Sequence, residues 1–254
     1  MVYAATLPTC GVVAAKIPFN EESRKVLDRE ATVLRYLHSL PGVGGFVIPY
    51  YGKYEFDDTF ALCFELCPQT MGEYITGQSC GGPVPVVGID VWKRWFSTLL
   101  SAVDFLHDSG VLHNDIKPQN ILLTASLHPY LSDFAGSTSL YNFGLASPPD
   151  MHILGTTVFT APELLSAEDV PTSCESDIYS LGITMFVAAM GVEPFSWTRS
   201  VTQKIMLKQR GDIFAGTEQS RMSGRLIEII KGMCTSDPAR RWSSARVRTA
   251  LHQL

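Results

Sequence analysis

Charge is scarce in this chain. Asp, Glu, Lys and Arg make up 18% of its 254 residues, below the usual ~25% of globular proteins, while hydrophobic residues make up 46%. That balance excludes a disordered or fibrous protein, which could not bury a core. A basic surplus is also lacking: 20 Lys and Arg against 25 Asp and Glu leave a net charge of −5, so nothing suggests a nucleic-acid partner. The longest uncharged apolar run, residues 178–192, is too short to cross a bilayer at ~1.5 Å per residue. The opening MVYAATLPTC has no basic start before an apolar run, so no secretory signal is expected. The 6 cysteines, Cys10, Cys63, Cys67, Cys80, Cys174 and Cys234, include no C-x-x-C pair; reduced thiols are expected rather than a disulfide framework or zinc site. Glycine is sparse at the front, where Gly11 alone precedes Lys16. These absences describe a soluble intracellular protein, cytoplasmic or nuclear, with neither nucleic acid nor membrane as a partner.

The length suits one large domain or a bilobed unit, and the chain carries no repeat or low-complexity tract. Up to about residue 66 the pattern is strand-like around one helix, capped by Asn20, with an apolar face of Val26, Ala31, Val33, Leu34, Leu37 and Leu40. Pro41-Gly42 ends that helix. Residues 46–51 and 59–64 are rich in aromatic and β-branched side chains around Asp57-Asp58 and read as paired strands. Beyond the Gly- and Pro-rich residues 77–88 the pattern turns helical. Asp90 is positioned to cap a helix with apolar Val91, Trp92, Trp95, Phe96, Leu99, Leu100, Val103 and Leu106, ending at Ser109-Gly110. Residues 178–190 are apolar all round, as in a helix buried on every side, and residues 222–234 and 244–254 are amphipathic. The expected fold class is α+β, with a small strand-rich front lobe over residues 1–66, a helical lobe over residues 67–254 and a site between them.

Chemistry concentrates in His113-Asn114-Asp115-Ile116-Lys117-Pro118-Gln119-Asn120, followed by Ser132-Asp133-Phe134-Ala135-Gly136 and then Ala161-Pro162-Glu163. Asp and Asn side chains are hard oxygen donors suited to Mg²⁺. In this order the three motifs resemble the eukaryotic protein kinases of serine/threonine type, whose pattern is His-Arg-Asp with a downstream Asn, then Asp-Phe-Gly, then Ala-Pro-Glu. The resemblance runs from about residue 11 to residue 250 and implies a bilobed kinase-like fold, ATP and Mg²⁺ as cosubstrates, and transfer of the γ-phosphate to serine or threonine of a protein substrate.

Carried over residue by residue, the resemblance makes Asp115 the carboxylate beside the attacking hydroxyl and puts Lys117 at the γ-phosphate. Asn120 and Asp133 become the metal ligands. Val13-Ala14-Ala15-Lys16 is similar to the family's strand lysine motif, so Lys16 would meet the α- and β-phosphates and Glu30 would pair with it. Glu65 and Cys67 fall in the hinge that holds adenine, Phe64 guards the back of that pocket, and Ala14 and Leu122 are its roof and floor. Thr156, in the peptide-binding segment of residues 155–160, would bond near Asp115 and Lys117. Asp177 matches the carboxylate that holds the catalytic loop, and Arg241 is expected to form a buried ion pair with Glu163.

Three departures stand out. Residues 1–16 hold no Gly-x-Gly-x-x-Gly pattern, so the first strand and its phosphate-covering loop are expected to be missing or vestigial. Asn114 replaces the arginine that normally receives an activation-segment phosphate, which argues against the common switch through Ser137, Thr138, Ser139 or Tyr141. Ala135 replaces the permissive glycine after Asp133-Phe134, restricting that segment. Two rival readings remain: a pseudokinase scaffold, and a small-molecule phosphotransferase.

Overall fold

Asn20 opens the first helix, α1 (Glu21–Ser39), by a reciprocal capping box in which its side chain accepts from the Ser23 amide and the Ser23 hydroxyl accepts from the Asn20 amide. The computed structural model describes residues 1–78, 85–140, 158–165, 170–217 and 222–254. The apolar stripe of α1 is centred on Leu27, Ala31, Leu34 and Leu37, all buried, with Val26 only half-buried.

That helix packs on a sheet of four antiparallel strands, ordered β1 (Val2–Leu7), β2 (Gly11–Lys16), β4 (Thr59–Glu65), β3 (Tyr50–Phe56). A strand therefore does lie ahead of the Lys16 strand, pairing Val2 with Lys16 and Leu7 with Gly11. The turn after Leu7 carries Pro8, Thr9 and Cys10 and no glycine pattern. The expected strand over residues 46–51 is also displaced: β3 begins at Tyr50. Phe46 to Ile48 pair instead with Leu131, far along the chain, through Ile48 N–H to Leu131 O and Leu131 N–H to Phe46 O. Their β-type side chains were real signals for extended backbone, but the partner is remote.

Side-chain alternation divides the sheet. Val13 and Ala15 join Ala61 and Cys63 in a small cluster on one face, which leaves Ala14 and Lys16 on the other, toward the main core. That core continues into the helical part, built on α3 (Ile89–Asp108), α4 (Cys174–Met190), α6 (Gly224–Met233) and α7 (Ser244–Leu251). Gly88, with φ of 82°, is the N-cap of α3, and Asp90 lies inside the first turn, where its charge complements the helix dipole without capping. Two short helices escape the periodicity reading, α2 (Met71–Thr76) and α5 (Val201–Gln209). Between α3 and α4 run the short strands β6 (Val111–Leu112), β7 (Ile121–Leu123), β8 (Pro129–Leu131) and β9 (Thr138–Ser139), with β5 (Gln69–Thr70) pairing onto β7. These short strands hold the motif-bearing loops. Among the described residues no helix is long and apolar enough to cross a membrane, and the five described cysteines are free thiols, Cys80 lying outside them.

Candidate active site

The strand alternation that turns Lys16 inward meets two carboxylates. Lys16 Nζ donates to Glu30 Oε2 and to Asp133 Oδ1, each at 2.8 Å. Glu30 arrives because it shares the buried face of α1 with Leu27, Leu34 and Leu37. Asp133 arrives because its own backbone is left-handed, with φ of 62°, just before the 3-10 turn Phe134–Gly136; Asp tolerates that region better than most residues. Burial alone would lower the Lys16 pKa, but Glu30 and Asp133 together hold it above its ordinary value. Burial pushes the Glu30 carboxyl up, partly offset by Lys16. Burial acts on Asp133 in the same sense, yet the Lys16 ammonium wins and holds it below the usual range.

A second cluster forms within the loop after β6. Lys117 Nζ contacts both oxygens of Asp115, at 2.9 and 2.7 Å, and Asn120 Nδ2 donates to Asp115 Oδ2 at 2.7 Å and to the Asp115 carbonyl at 2.9 Å. These contacts fix the plane of the carboxylate. The Asn120 carbonyl in turn accepts from the Ser132 amide and hydroxyl, tying the loop to the residue before Asp133. His113 is fully buried and braces the same junction. Its Nδ1 accepts from the Asp115 amide, so Nε2 carries the proton and donates to the Ser132 carbonyl at 3.0 Å. Its ring packs on Phe134 at 4.9 Å between centroids.

The loop hangs from one polar stripe on an otherwise apolar helix. Asp177 accepts the amides of His113 and Asn114, both at 2.9 Å. Ser180 donates to the Phe159 carbonyl at 2.9 Å, and Thr184 reaches the Ile116 carbonyl at 3.5 Å. Asp177 is compensated by His107, whose Nε2 lies 3.0 Å from it. Burial opposes the imidazolium, but Asp177 and Cys174 raise His107 to about 10. Below this stripe Arg241 grips Glu163 with two parallel bonds of 2.7 and 2.8 Å and donates further to the carbonyls of Thr235 and Glu175, the buried pair expected from the sequence.

Ala14, Cys67 and Leu122 are half-buried and pack on the one main core. Ala14 sits opposite Phe64 in the sheet, and Glu65 closes β4 opposite Val13. Burial raises the Cys67 thiol to about 11. Thr156 and Tyr141 lie outside the described residues. Ser137 is fully buried, its hydroxyl on the His113 carbonyl, so it is no accessible modification site in this conformation. Asn114, with φ of 66°, donates from Nδ2 to Gly136 O and to Thr138 Oγ1. It ties the segment after Asp133 to the loop by neutral bonds where the related pattern uses a cation.

The residues fit a divalent cation and a polyphosphate. Among the described residues no hydrogen bond occupies Asn120 Oδ1 or Asp133 Oδ2, and such oxygens are the donors Mg²⁺ takes. A lysine anchored by two carboxylates, a loop carrying Asp, Lys and Asn, and a sheet-over-helices fold define the class of protein kinases. Residues 1–253 match the protein kinase domain, and the chain belongs to that family. It is similar to Serine/threonine-protein kinase D of Synechocystis, 30% identical over 91% of this chain and 42% of the relative. It also resembles Calcium-dependent protein kinase 17 of Arabidopsis thaliana, 27% identical over 94% of this chain and 43% of the relative, and the gamma catalytic chain of bovine phosphorylase b kinase, 27% identical over 87% and 52%. The chain thus spans about half the length of these relatives or less.

Proposed function

We propose that this chain transfers the γ-phosphate of ATP to serine and threonine hydroxyls of a protein substrate. The observation that carries the reading is the contact of Lys16 Nζ with Glu30 and Asp133, both at 2.8 Å. It joins a strand, a helix and a loop 117 residues away around one ammonium, for which a simple scaffold has no need. Nucleotide then sits between the strand-rich residues 1–66 and the helical residues 67–254, its adenine at Glu65 and Cys67 between Ala14 and Leu122. Lys16 draws the α- and β-phosphates, and Glu30 holds it there. Asn120 and Asp133 hold Mg²⁺, which when bound neutralises phosphate charge. Asp115, its plane set by Lys117 and Asn120, accepts the proton of the substrate hydroxyl, and Lys117 faces the γ-phosphate. Thr156 serves the peptide side of the same centre.

The test is γ-phosphate transfer to a mixed protein substrate, with phosphoamino-acid analysis. Asp115→Asn is expected to lower turnover by at least ~10² while nucleotide affinity stays nearly intact. Full activity in the variant would remove Asp115 from the chemistry. A binding scaffold is the second reading, favoured by Ala135 in place of the permissive glycine after Asp133-Phe134. Mg²⁺-dependent ATP binding without transfer would support it, and phosphorylation of a small alcohol in place of protein would support the phosphotransferase instead.

A further inference from the structure

Lys208 is 1% exposed and is the one buried residue of α5. Its Nζ donates to the carbonyl of Thr160 at 2.5 Å, and the preceding carbonyl, of Phe159, accepts from Ser180 on α4. Two successive carbonyls just ahead of Ala161-Pro162-Glu163 are thus held from two helices. Taking an ammonium out of water costs several kcal/mol after relaxation, whereas methionine would fill a similar volume without that cost. What methionine cannot do is donate to a carbonyl.

We propose that Lys208 is a positioning residue for the substrate peptide, fixing the backbone at Phe159-Thr160 from behind. The proposal rests on the kinase reading above and deepens it. Among the described residues, the titratable and charged groups around Lys208 include Glu163 from the 3-10 turn Pro162–Leu165, Cys234 at the end of α6, Arg241 after the 3-10 turn Pro238–Arg240, and Tyr179 of α4, whose ring centre lies 5.7 Å from Nζ. Burial drives Lys208 down to about 7, opposed by Cys234 and Glu163. Ammonium and amine therefore both occur near neutrality, and only the ammonium makes the strong bond to Thr160. Two trends follow, with opposite signs. The folded pKa lies below the unfolded value, so the stability linked to Lys208 is greatest above its unfolded pKa and falls as pH drops toward about 7. Peptide affinity goes the other way, weakening as pH rises through about 7, where the folded ammonium gives up its proton. A purely structural lysine would couple only to the first trend.

The experiment compares wild type with Lys208→Met, using a phosphorylatable peptide. At pH 6 the variant is expected to show a peptide KM raised by about tenfold, the loss of one charge-assisted bond, with ATP hydrolysis in the absence of peptide unchanged. Wild-type peptide KM rises between pH 6 and pH 8 and the variant's stays flat. Amide hydrogen exchange over residues 158–165, which needs no turnover, is faster in the variant. Equal KM at pH 6, or unchanged exchange, overturns the proposal. Failure of the kinase reading looks different, as no nucleotide-dependent transfer by wild type at any pH while the exchange difference remains. Should Lys208→Met not fold, Lys208→Gln retains a shorter donor and is expected to fall between the two.

Discussion

Lys16 and Arg241 each meet a carboxylate from a distant part of the chain, yet they are set in different surroundings. The Arg241 side chain is 0% exposed, makes a two-pronged pair with Glu163 and spends its remaining donors on backbone carbonyls. The Lys16 side chain is 23% exposed and touches two carboxylates, of which Asp133 is 40% exposed. One pair is sealed and closed in on itself. The other keeps both its lysine and its Asp133 partly open to solvent. Charge buried with all its partners maintains architecture, and charge buried with spare valence on one side marks a place for ligand.

The largest effect expected separates the sealed pair from everything else. Arg241→Ala and Glu163→Ala should each destabilise the protein by about 3–5 kcal/mol, because each removes one half of a buried, doubly hydrogen-bonded ion pair. The double variant should lose far less than the sum, and denaturant unfolding of the three variants measures that coupling. Additive losses would break the comparison, since the pair would then behave as two independent side chains.

Lys16→Met should cost less, ~1–2 kcal/mol at neutral pH, while abolishing phosphate transfer. The cost is limited because Glu30, already pushed upward by burial, can take up a proton once Lys16 is gone. The sign is checkable. With its folded pKa above the unfolded one, Glu30 in the variant favours folding at low pH and penalises it as pH rises. The gap from wild type should therefore be larger at pH 7.5 than at pH 5. An equal gap at both would mean that Glu30 does not depend on Lys16 for compensation.

Much of this was legible before any coordinates. The helices α1 and α3 announce themselves by period and α4 by its unbroken apolar run, and the period of α1 alone brings Glu30 onto the face of Leu34 and Leu37. Lys16 follows from strand alternation. What escaped detection was whatever depends on remote partners. Phe46 to Ile48 look like strand and are extended, but Leu131 claims them. The short α5 has little apolar stripe, so Lys208 reads there as one more solvated charge. His107 near the end of α3 reads as a helix-dipole partner, and only the fold shows Asp177 against it. Ser180 and Thr184 look like hydroxyls bonded back to their own helix, which they are, at 3.0 and 2.9 Å, while also serving Phe159 and Ile116.

The smallest effect concerns the neutral tie between the two charged ones. Asn114 holds Gly136 and Thr138 by its amide, from a left-handed backbone with φ of 66°. Asn114→Gly removes the amide but suits that backbone, and water can replace part of what is lost, so it should cost about the worth of one ordinary hydrogen bond or less, ~0.5–1 kcal/mol. Asn114→Ala loses the same bonds and adds the difference between Ala and Asn in the left-handed region, so it should be the worse of the two by a few tenths of a kcal/mol. The ordering isolates backbone from side chain, and thermal unfolding reads it directly. A charge-free tie also needs no phosphate to complete it. Phosphatase treatment of the wild type should leave transfer activity unchanged, whereas a large fall would show that a phosphate supplies part of the hold on this segment and that Asn114 alone does not keep it in place.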